Sequence, residues 1–152
     1  MQTVSYTSTS LHETERLGKR LALSLQGAPI PFVVFLEGPL GSGKTTLIKT
    51  IISELASIRK EAIASPTFQY VSLYKGRELP IAHFDLWRIP SCDAFFSLGL
   101  DDIITSSLSF IEWPEKIQEA RLQASLIIRI QTPHPDERLF EIENRSDIFS
   151  FG

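Results

Sequence analysis

The sequence predicts an α/β fold in which helices cover both faces of a mostly parallel central sheet, with antiparallel strands added to it. Three observations support this prediction. The short apolar run at 32–36 is typical of a strand buried on both faces of a parallel sheet. Leucine and isoleucine recur with helical spacing over 47–55, directly after a glycine-rich loop. Near the end of the chain, two further strands are separated by a proline-containing turn, which predicts an antiparallel hairpin.

The composition is that of an ordinary globular domain. The 152 residues are 43% hydrophobic and 22% charged, and a chain of this length buries about two-thirds of the surface that its unfolded form exposes. We therefore expect residues 1–152 to form a single domain. The formal net charge of −3 gives no sign of a general attraction to nucleic acid, so any RNA is expected to be contacted mainly through partner proteins. With one cysteine, no signal-like start and no run of membrane-spanning length, the chain is predicted to be cytoplasmic, without a membrane contact.

The first 27 residues predict an edge strand followed by a capped helix. Residues 3–7 alternate Thr and Ser with larger side chains, which favours a strand at the margin of the sheet. The segment Ser10-Leu11-His12-Glu13 fits a capping box, and the leucine stripe that follows predicts a helix ending near Gln26-Gly27. These residues leave open whether the helix start only caps the helix or also lies beside a bound nucleotide.

The glycine-rich segment from Gly38 to Thr45 fits the phosphate-binding P-loop pattern G-x-x-x-x-G-K-[ST]. It has the required strand before it and helix after it. Its glycines allow the unusual φ angles and the close backbone approach of a loop that surrounds a polyphosphate with N–H groups. Lys44 is predicted to bind the β- and γ-phosphates, and the Thr45 hydroxyl to bind Mg²⁺. The residues expected to contact the nucleotide here are Gly38, Gly41, Ser42, Gly43, Lys44, Thr45 and Thr46.

Beyond the loop helix, turn residues separate two further strand-like runs. A turn is predicted at 65–67, a strand at 68–73, a turn at 74–78 and a returning strand at 79–84.

Three polar residues beside these strands are weighed as site residues. Thr67 lies where nucleotide switches place a sensor of the γ-phosphate, although capping of the turn explains it equally well. Asp85 leaves the returning strand, where it can contact a bound cation or its waters, cap the next turn, or pair with Arg88. His83 has no second histidine or cysteine at a metal-ligand spacing, so it is interpreted as structural.

A second acidic residue follows another apolar strand. The strand is predicted at 108–111, after a short helix capped by Ser91, and it places Glu112 at its end. Downstream of a P-loop, such a residue helps hold Mg²⁺ or orders water, with surface ion pairing as the alternative. The rest of the chain predicts a helix at 114–122, a strand at 125–130, a turn at 133–136 and a strand at 138–143.

Taken in order, these motifs resemble the TsaE family, also called YjeE, of small bacterial P-loop ATPases that take part in tRNA threonylcarbamoyladenosine synthesis. Two segments depart from the family pattern: Trp87 stands where the family usually has Tyr, and residues 94–97 replace an acidic stretch. The resemblance is carried by Ser10 to Thr14, Gly38 to Thr45, Ser65-Pro66-Thr67, His83 to Arg88, Leu98-Gly99-Leu100 and Glu112-Trp113-Pro114.

The resemblance implies a three-layer P-loop NTPase fold and Mg²⁺-dependent ATP hydrolysis in an accessory subunit that works with TsaD-like and TsaB-like partners. It also implies ATP contacts at Ser10 or Thr14, and at Arg138. Combined with the motifs, it leads us to expect slow hydrolysis that the partners accelerate. The expected catalytic residues are Lys44, Glu112, Asp85 and Thr67, and the expected Mg²⁺ site consists of Thr45, Glu112 and Asp85.

The sequence is also compatible with two other functions, a small kinase and a nucleotide-gated adaptor. A small nucleoside or nucleotide kinase would need a mobile lid with clustered arginines, whereas Arg121 and Arg129 are spaced apart. In a nucleotide-gated adaptor, ATP binding would assemble the partners and hydrolysis would be dispensable. No Asn-Lys-x-Asp guanine signature is present, which favours adenine over guanine.

Overall fold

The computed structural model describes residues 2–66 and 68–147, and within this part of the chain seven strands form one sheet. The strands are β1 (Gln2–Ser8), β2 (Phe32–Glu37), β3 (Val71–Lys75), β4 (Pro80–Asp85), β5 (Leu108–Glu112), β6 (Leu126–His134) and β7 (Glu137–Asn144). The helices are α1 (Leu11–Leu25), α2 (Lys44–Ala56), α3 (Cys92–Ser97) and α4 (Leu100–Ile104), with 3₁₀ segments at Lys60–Ala62 and Pro114–Ala120.

The sheet is parallel in its centre and antiparallel at its margins. The strand order is β1-β7-β6-β2-β5-β4-β3. β2 is parallel to both β5 and β6, and β4 is parallel to β5. β7, β1 and β3 are added in antiparallel fashion. The predicted mostly parallel sheet with antiparallel additions, including the terminal hairpin and the N-terminal edge strand, is therefore confirmed.

Helices lie on both faces of this sheet because side chains alternate between the faces along each strand. One core joins α1 and α2 to residues such as Val34, Phe110 and Ile128. The other core joins α3, α4 and the second 3₁₀ segment to Val33, Phe84 and their neighbours. The predicted three-layer α/β/α arrangement is thus confirmed. No helix in the described ranges has both the length and the apolarity needed to cross a membrane.

Some predicted element boundaries were wrong. The strand expected from residue 68 begins at Val71, because Tyr70 has φ of +66° and its N–H bonds to Pro66 O in a turn. The helix expected at 114–122 is a 3₁₀ segment that is broken by non-helical angles at Ile117. The final turn is also shorter than expected, since β6 continues to His134.

The contact between α1 and α2 depends on Gly18. A Cβ added there would lie 2.7 Å from Thr50 Cγ2 and 2.9 Å from Thr50 Cβ, closer than atoms approach without a shift. We expect Gly18→Ala to lower the free energy of unfolding by a net amount of about 1 kcal/mol, because overpacking outweighs the gain in helix propensity. Urea denaturation would measure this change. The matched control is Gly27→Ala, where an added Cβ meets nothing within 4 Å. Equal stability of the two variants would contradict the prediction.

Candidate functional site

The loop at residues 38–43 joins the end of the central strand β2 to the start of α2. Gly41 and Gly43 have φ of +76° and +102°, in the left-handed region that favours glycine. Gly38 is restricted for another reason, because an added Cβ would lie 2.9 Å from Ile130 O on the neighbouring strand. The three glycines therefore allow a tight loop against the sheet, and its backbone N–H groups lead into the N-terminus of α2.

Lys44 lies under this loop rather than out in solvent. It is 5% exposed, and its ammonium donates to Gly38 O and, at 3.4 Å, to Pro39 O. The Lys44 Nζ atom lies 3.6 Å from the centre of the Trp113 ring, within the range of a cation–π contact. Burial lowers the pKa of Lys44, while the nearby carboxylates, Glu112 first among them, act in the opposite direction. The loop, the ring and the acidic groups together fix the position of this positive charge.

A chain of hydrogen bonds runs below the lysine from Thr45 to the sheet. Thr45 Oγ1 donates to Glu112 Oε1 at 2.9 Å, and the other oxygen, Glu112 Oε2, lies 2.6 Å from His83 Nε2. Glu112 is 3% exposed and His83 is fully buried. Glu112 is thus held between the first turn of α2 and the neighbouring strand β4. Glu112 also lines a cavity together with the loop.

Asp85 ends β4 and pairs in register with Glu112 at the end of β5. Its Oδ1 accepts from the Trp87 N–H at 3.1 Å, so it does cap the following turn. Burial raises the pKa of the Asp85 carboxyl; the Trp87 N–H opposes this rise, and the Glu112 carboxylate adds to it. Asp85 therefore both caps a turn and lies on the same cavity as the P-loop.

Two adjoining cavities meet at the loop. The first has a volume of about 480 Å³ and is lined by the loop, Lys44, Thr45, Asp85, Glu112 and the two tryptophans. Trp87 and Trp113 both line it, with ring centres 4.3 Å apart. The second has a volume of about 390 Å³ and lies on the other side of the loop. Both cavities are lined by Gly41, Ser42, Gly43 and Thr46.

The second cavity contains the start of α1 and the start of β7. Ser10 caps α1 by accepting from Glu13 N at 3.1 Å, while Thr14 Oγ1 lies 2.7 Å from Ser8 Oγ. Arg138 donates to Ser42 O at 3.1 Å and to Gly41 O at 3.4 Å. The structure therefore brings all three residues implied by the family resemblance to this cavity, with Arg138 directly on the loop backbone.

Two further residues considered in the sequence analysis are Thr67 and His83. Thr67 lies outside the described residues, so its expected position on the γ-phosphate side stays a prediction. The interpretation of His83 as structural stays a prediction, and the structure adds that its hydrogen-bond partner is the carboxylate of Glu112. The available signal was its spacing of two residues from Asp85, which places both side chains on one face of a strand.

The donor set suits a magnesium ion bound together with phosphates. Thr45 and Glu112 offer two oxygens 2.9 Å apart beside the loop, with Asp85 on the adjacent strand end. In the described ranges, no group of three or more His, Cys, Asp or Glu residues is arranged to hold a metal alone. Mg²⁺ commonly binds through one or two carboxylates and the substrate phosphates, with waters completing its coordination, so these residues fit the ion.

The three-layer α/β/α fold and the glycine-rich loop before α2 define a protein of the P-loop nucleotide-binding class. Comparison with known families is more specific: the model described as "Threonylcarbamoyl adenosine biosynthesis protein TsaE" matches residues 8–140. The chain belongs to the TsaE family, which takes part in the biosynthesis of threonylcarbamoyladenosine in tRNA.

Individual relatives agree with this assignment. The TsaE protein of Rickettsia conorii is 33% identical over 137 residues, covering 90% of this chain and 76% of that protein. The Bacillus subtilis TsaE protein is 32% identical over 139 residues, covering 91% and 84%. The crystal structure of Bacillus subtilis YdiB superposes with a TM-score of 0.71 at 26% identity, covering 97% of this chain and 89% of that one. Family and fold, both expected from the sequence motifs, are confirmed.

Proposed function

We propose that this protein is a Mg²⁺-dependent ATPase and an accessory subunit of the machinery that makes threonylcarbamoyladenosine in tRNA. The observation that carries the proposal is the hydrogen bond of 2.9 Å between Thr45 and Glu112, directly beside the loop that holds Lys44. A P-loop hydroxyl and a strand-end carboxylate in contact are the pair that phosphoryl-transfer sites use around Mg²⁺.

In this proposal, the loop binds the phosphates of ATP. The Lys44 ammonium interacts with the β- and γ-phosphates, and the N–H groups from Gly41 to Thr46 surround them. Thr45 and Glu112, with Asp85, would hold Mg²⁺, which neutralises charge on the phosphates when bound. Thr67 remains the expected contact on the γ-phosphate side.

The adenosine part of ATP is proposed to occupy the second cavity. Ser10 and Thr14 line it from α1, and Arg138 lines it from β7. Because Arg138 already donates to the carbonyls of Gly41 and Ser42, its main effect is expected to be on the shape of the loop. Contact between nucleotide and α1 would then join the first helix, the loop and the last strand in one site.

Hydrolysis by the isolated protein is proposed to be slow. An arginine that reaches the transferring phosphate accelerates phosphoryl transfer by about 10³ to 10⁵. Arg88 lines the phosphate-side cavity, but its guanidinium lies over the exposed Phe68 ring, 5.2 Å from the ring centre. We therefore propose that TsaD-like and TsaB-like partners complete the site and hold the tRNA.

Addition of the two partner proteins is expected to raise the rate of phosphate release by at least about tenfold, since completing a phosphoryl-transfer site has effects of this size or larger. Phosphate release and tRNA modification would be followed together in the same reactions. Each partner added alone serves as the control. Equal rates with and without the complete set of partners would contradict an accessory role in which hydrolysis is stimulated.

A further inference from the structure

We propose that His83 is a positioning residue: its ring N–H fixes the Glu112 carboxylate so that the other oxygen stays directed at Thr45. This inference rests on the proposed function, because it assigns a role within the same Mg²⁺ and nucleotide site. His83 does not line the cavity beside the loop, and its hydrogen-bond partner among the described residues is Glu112.

The two oxygens of Glu112 have different partners. Oε2 lies 2.6 Å from His83 Nε2, and Oε1 accepts from the Thr45 hydroxyl at 2.9 Å. A carboxylate held at one oxygen by a fixed donor cannot rotate freely, so its second oxygen keeps one direction. Because both His83 and Glu112 are buried, water does not readily replace the ring as a donor.

The protonation pattern of the ring follows from its surroundings. His83 Nδ1 is buried and has no hydrogen-bond partner among the residues that the structure describes. A proton on Nδ1 would therefore be a buried, unpaired donor, whereas a proton on Nε2 is paired with the carboxylate. The ring hydrogen is therefore placed on Nε2. In this form the ring donates to Glu112 and imposes an orientation on it.

The sheet register brings the two side chains together. Asp85 is opposite Glu112 across the parallel pair β4–β5, and His83 is opposite Phe110. His83 is therefore the diagonal neighbour of Glu112, and the alternation of side chains places both on the face covered by α2. A histidine two residues before the strand-end aspartate is thus in a position to reach the carboxylate on the next strand.

The test compares two substitutions at this position in the full-length protein. His83→Leu has a similar volume but no donor, and His83→Gln keeps an N–H donor at nearly the same reach. ADP affinity would be measured by calorimetry in EDTA and over a series of Mg²⁺ concentrations, and phosphate release over the same series. In the Leu variant, the Mg²⁺ concentration that gives half of the maximal change in ADP affinity and in phosphate release should rise about 10- to 100-fold. This is the range seen when partners of metal ligands are removed. ADP affinity in EDTA should be unchanged, and Gln should restore most of the Mg²⁺ response.

A double-mutant cycle separates positioning from general stability. If His83 acts through Glu112, His83→Leu should add little to the loss of Mg²⁺ response already caused by Glu112→Gln. If His83→Leu does not fold, His83→Met replaces it, since its side chain also lacks an N–H donor. Equal losses in the donor-bearing and donor-free variants, no loss in either, or full additivity in the cycle would overturn the inference. If the wild type releases no phosphate even with both partners, the proposed ATPase function fails, whereas the Mg²⁺ dependence of ADP binding still decides the role of His83.

Discussion

Replacing Glu112 with glutamine is expected to reduce phosphate release by at least about 100-fold, because a preorganised charge at a phosphoryl-transfer site is lost. The amide has the same shape and can still accept from Thr45, so nucleotide binding should remain measurable. However, it carries no negative charge to hold Mg²⁺ or to orient water. In addition, the NH₂ group of the glutamine cannot accept the hydrogen bond that His83 donates to Glu112 Oε2 in the wild-type protein. Single-turnover phosphate release and the affinity for ADP in EDTA would separate these effects.

The matched control for this variant is Glu115→Gln, which removes the same charge from an exposed position near the site. Hydrolysis by the Glu112 variant at the wild-type rate would contradict the catalytic role. The variant also tests the adaptor alternative. If tRNA modification continues while phosphate release is lost, nucleotide binding alone is sufficient and hydrolysis is dispensable.

Replacing Lys44 with alanine is expected to weaken ATP and ADP binding by about 10- to 100-fold, since a hydrogen bond to a charged group contributes about 1.5–3 kcal/mol. A second effect acts in the same direction. The Lys44 ammonium donates to the carbonyls of Gly38 and Pro39, so its removal also takes away an internal support of the loop. Calorimetric titration with ADP would measure the loss.

Lys116→Ala is the matched control for the lysine variant. Lys116 is exposed, its ammonium lies 4.8 Å from the centre of the Trp87 ring, and it does not line the cavity that contains Lys44. Its removal changes the net charge equally but should leave ADP affinity largely intact. Unaltered ADP affinity in the Lys44 variant would show that the nucleotide is not bound as proposed.

The parts of the site that the sequence predicted are those with local signals. The loop is recognisable because glycines at fixed spacing follow an apolar strand and precede a helical stripe. Glu112 and Asp85 were candidates because each follows an apolar run, and the carboxyl ends of parallel strands meet at one edge of the sheet. The three layers and the terminal hairpin follow from the same periodicities.

The parts that sequence reasoning missed depend on contacts between distant segments. The hydrogen bond between His83 and Glu112 requires β4 and β5 to be neighbours in a particular register, and no local pattern specifies that register. The contact between the Trp113 ring and Lys44 depends likewise on the backbone of Trp113 itself, which has a left-handed conformation with φ of +60° directly after β5. The late start of β3 results from the turn at Tyr70, which local strand propensity does not reveal.

The pairing of β1 with β7 has a practical consequence for anyone who alters the ends of this protein. Gln2 is opposite Asn144 and Ser8 is opposite Arg138, so the first and last strands support each other beside the cavity that contains Ser10. Deleting residues 2–8 would remove the strand that pairs with β7, and deleting residues 137–144 would remove the strand that pairs with β1. Affinity measurements on proteins that lack either strand would therefore also report on the loss of support for this cavity, although both strands are distant from the P-loop in sequence.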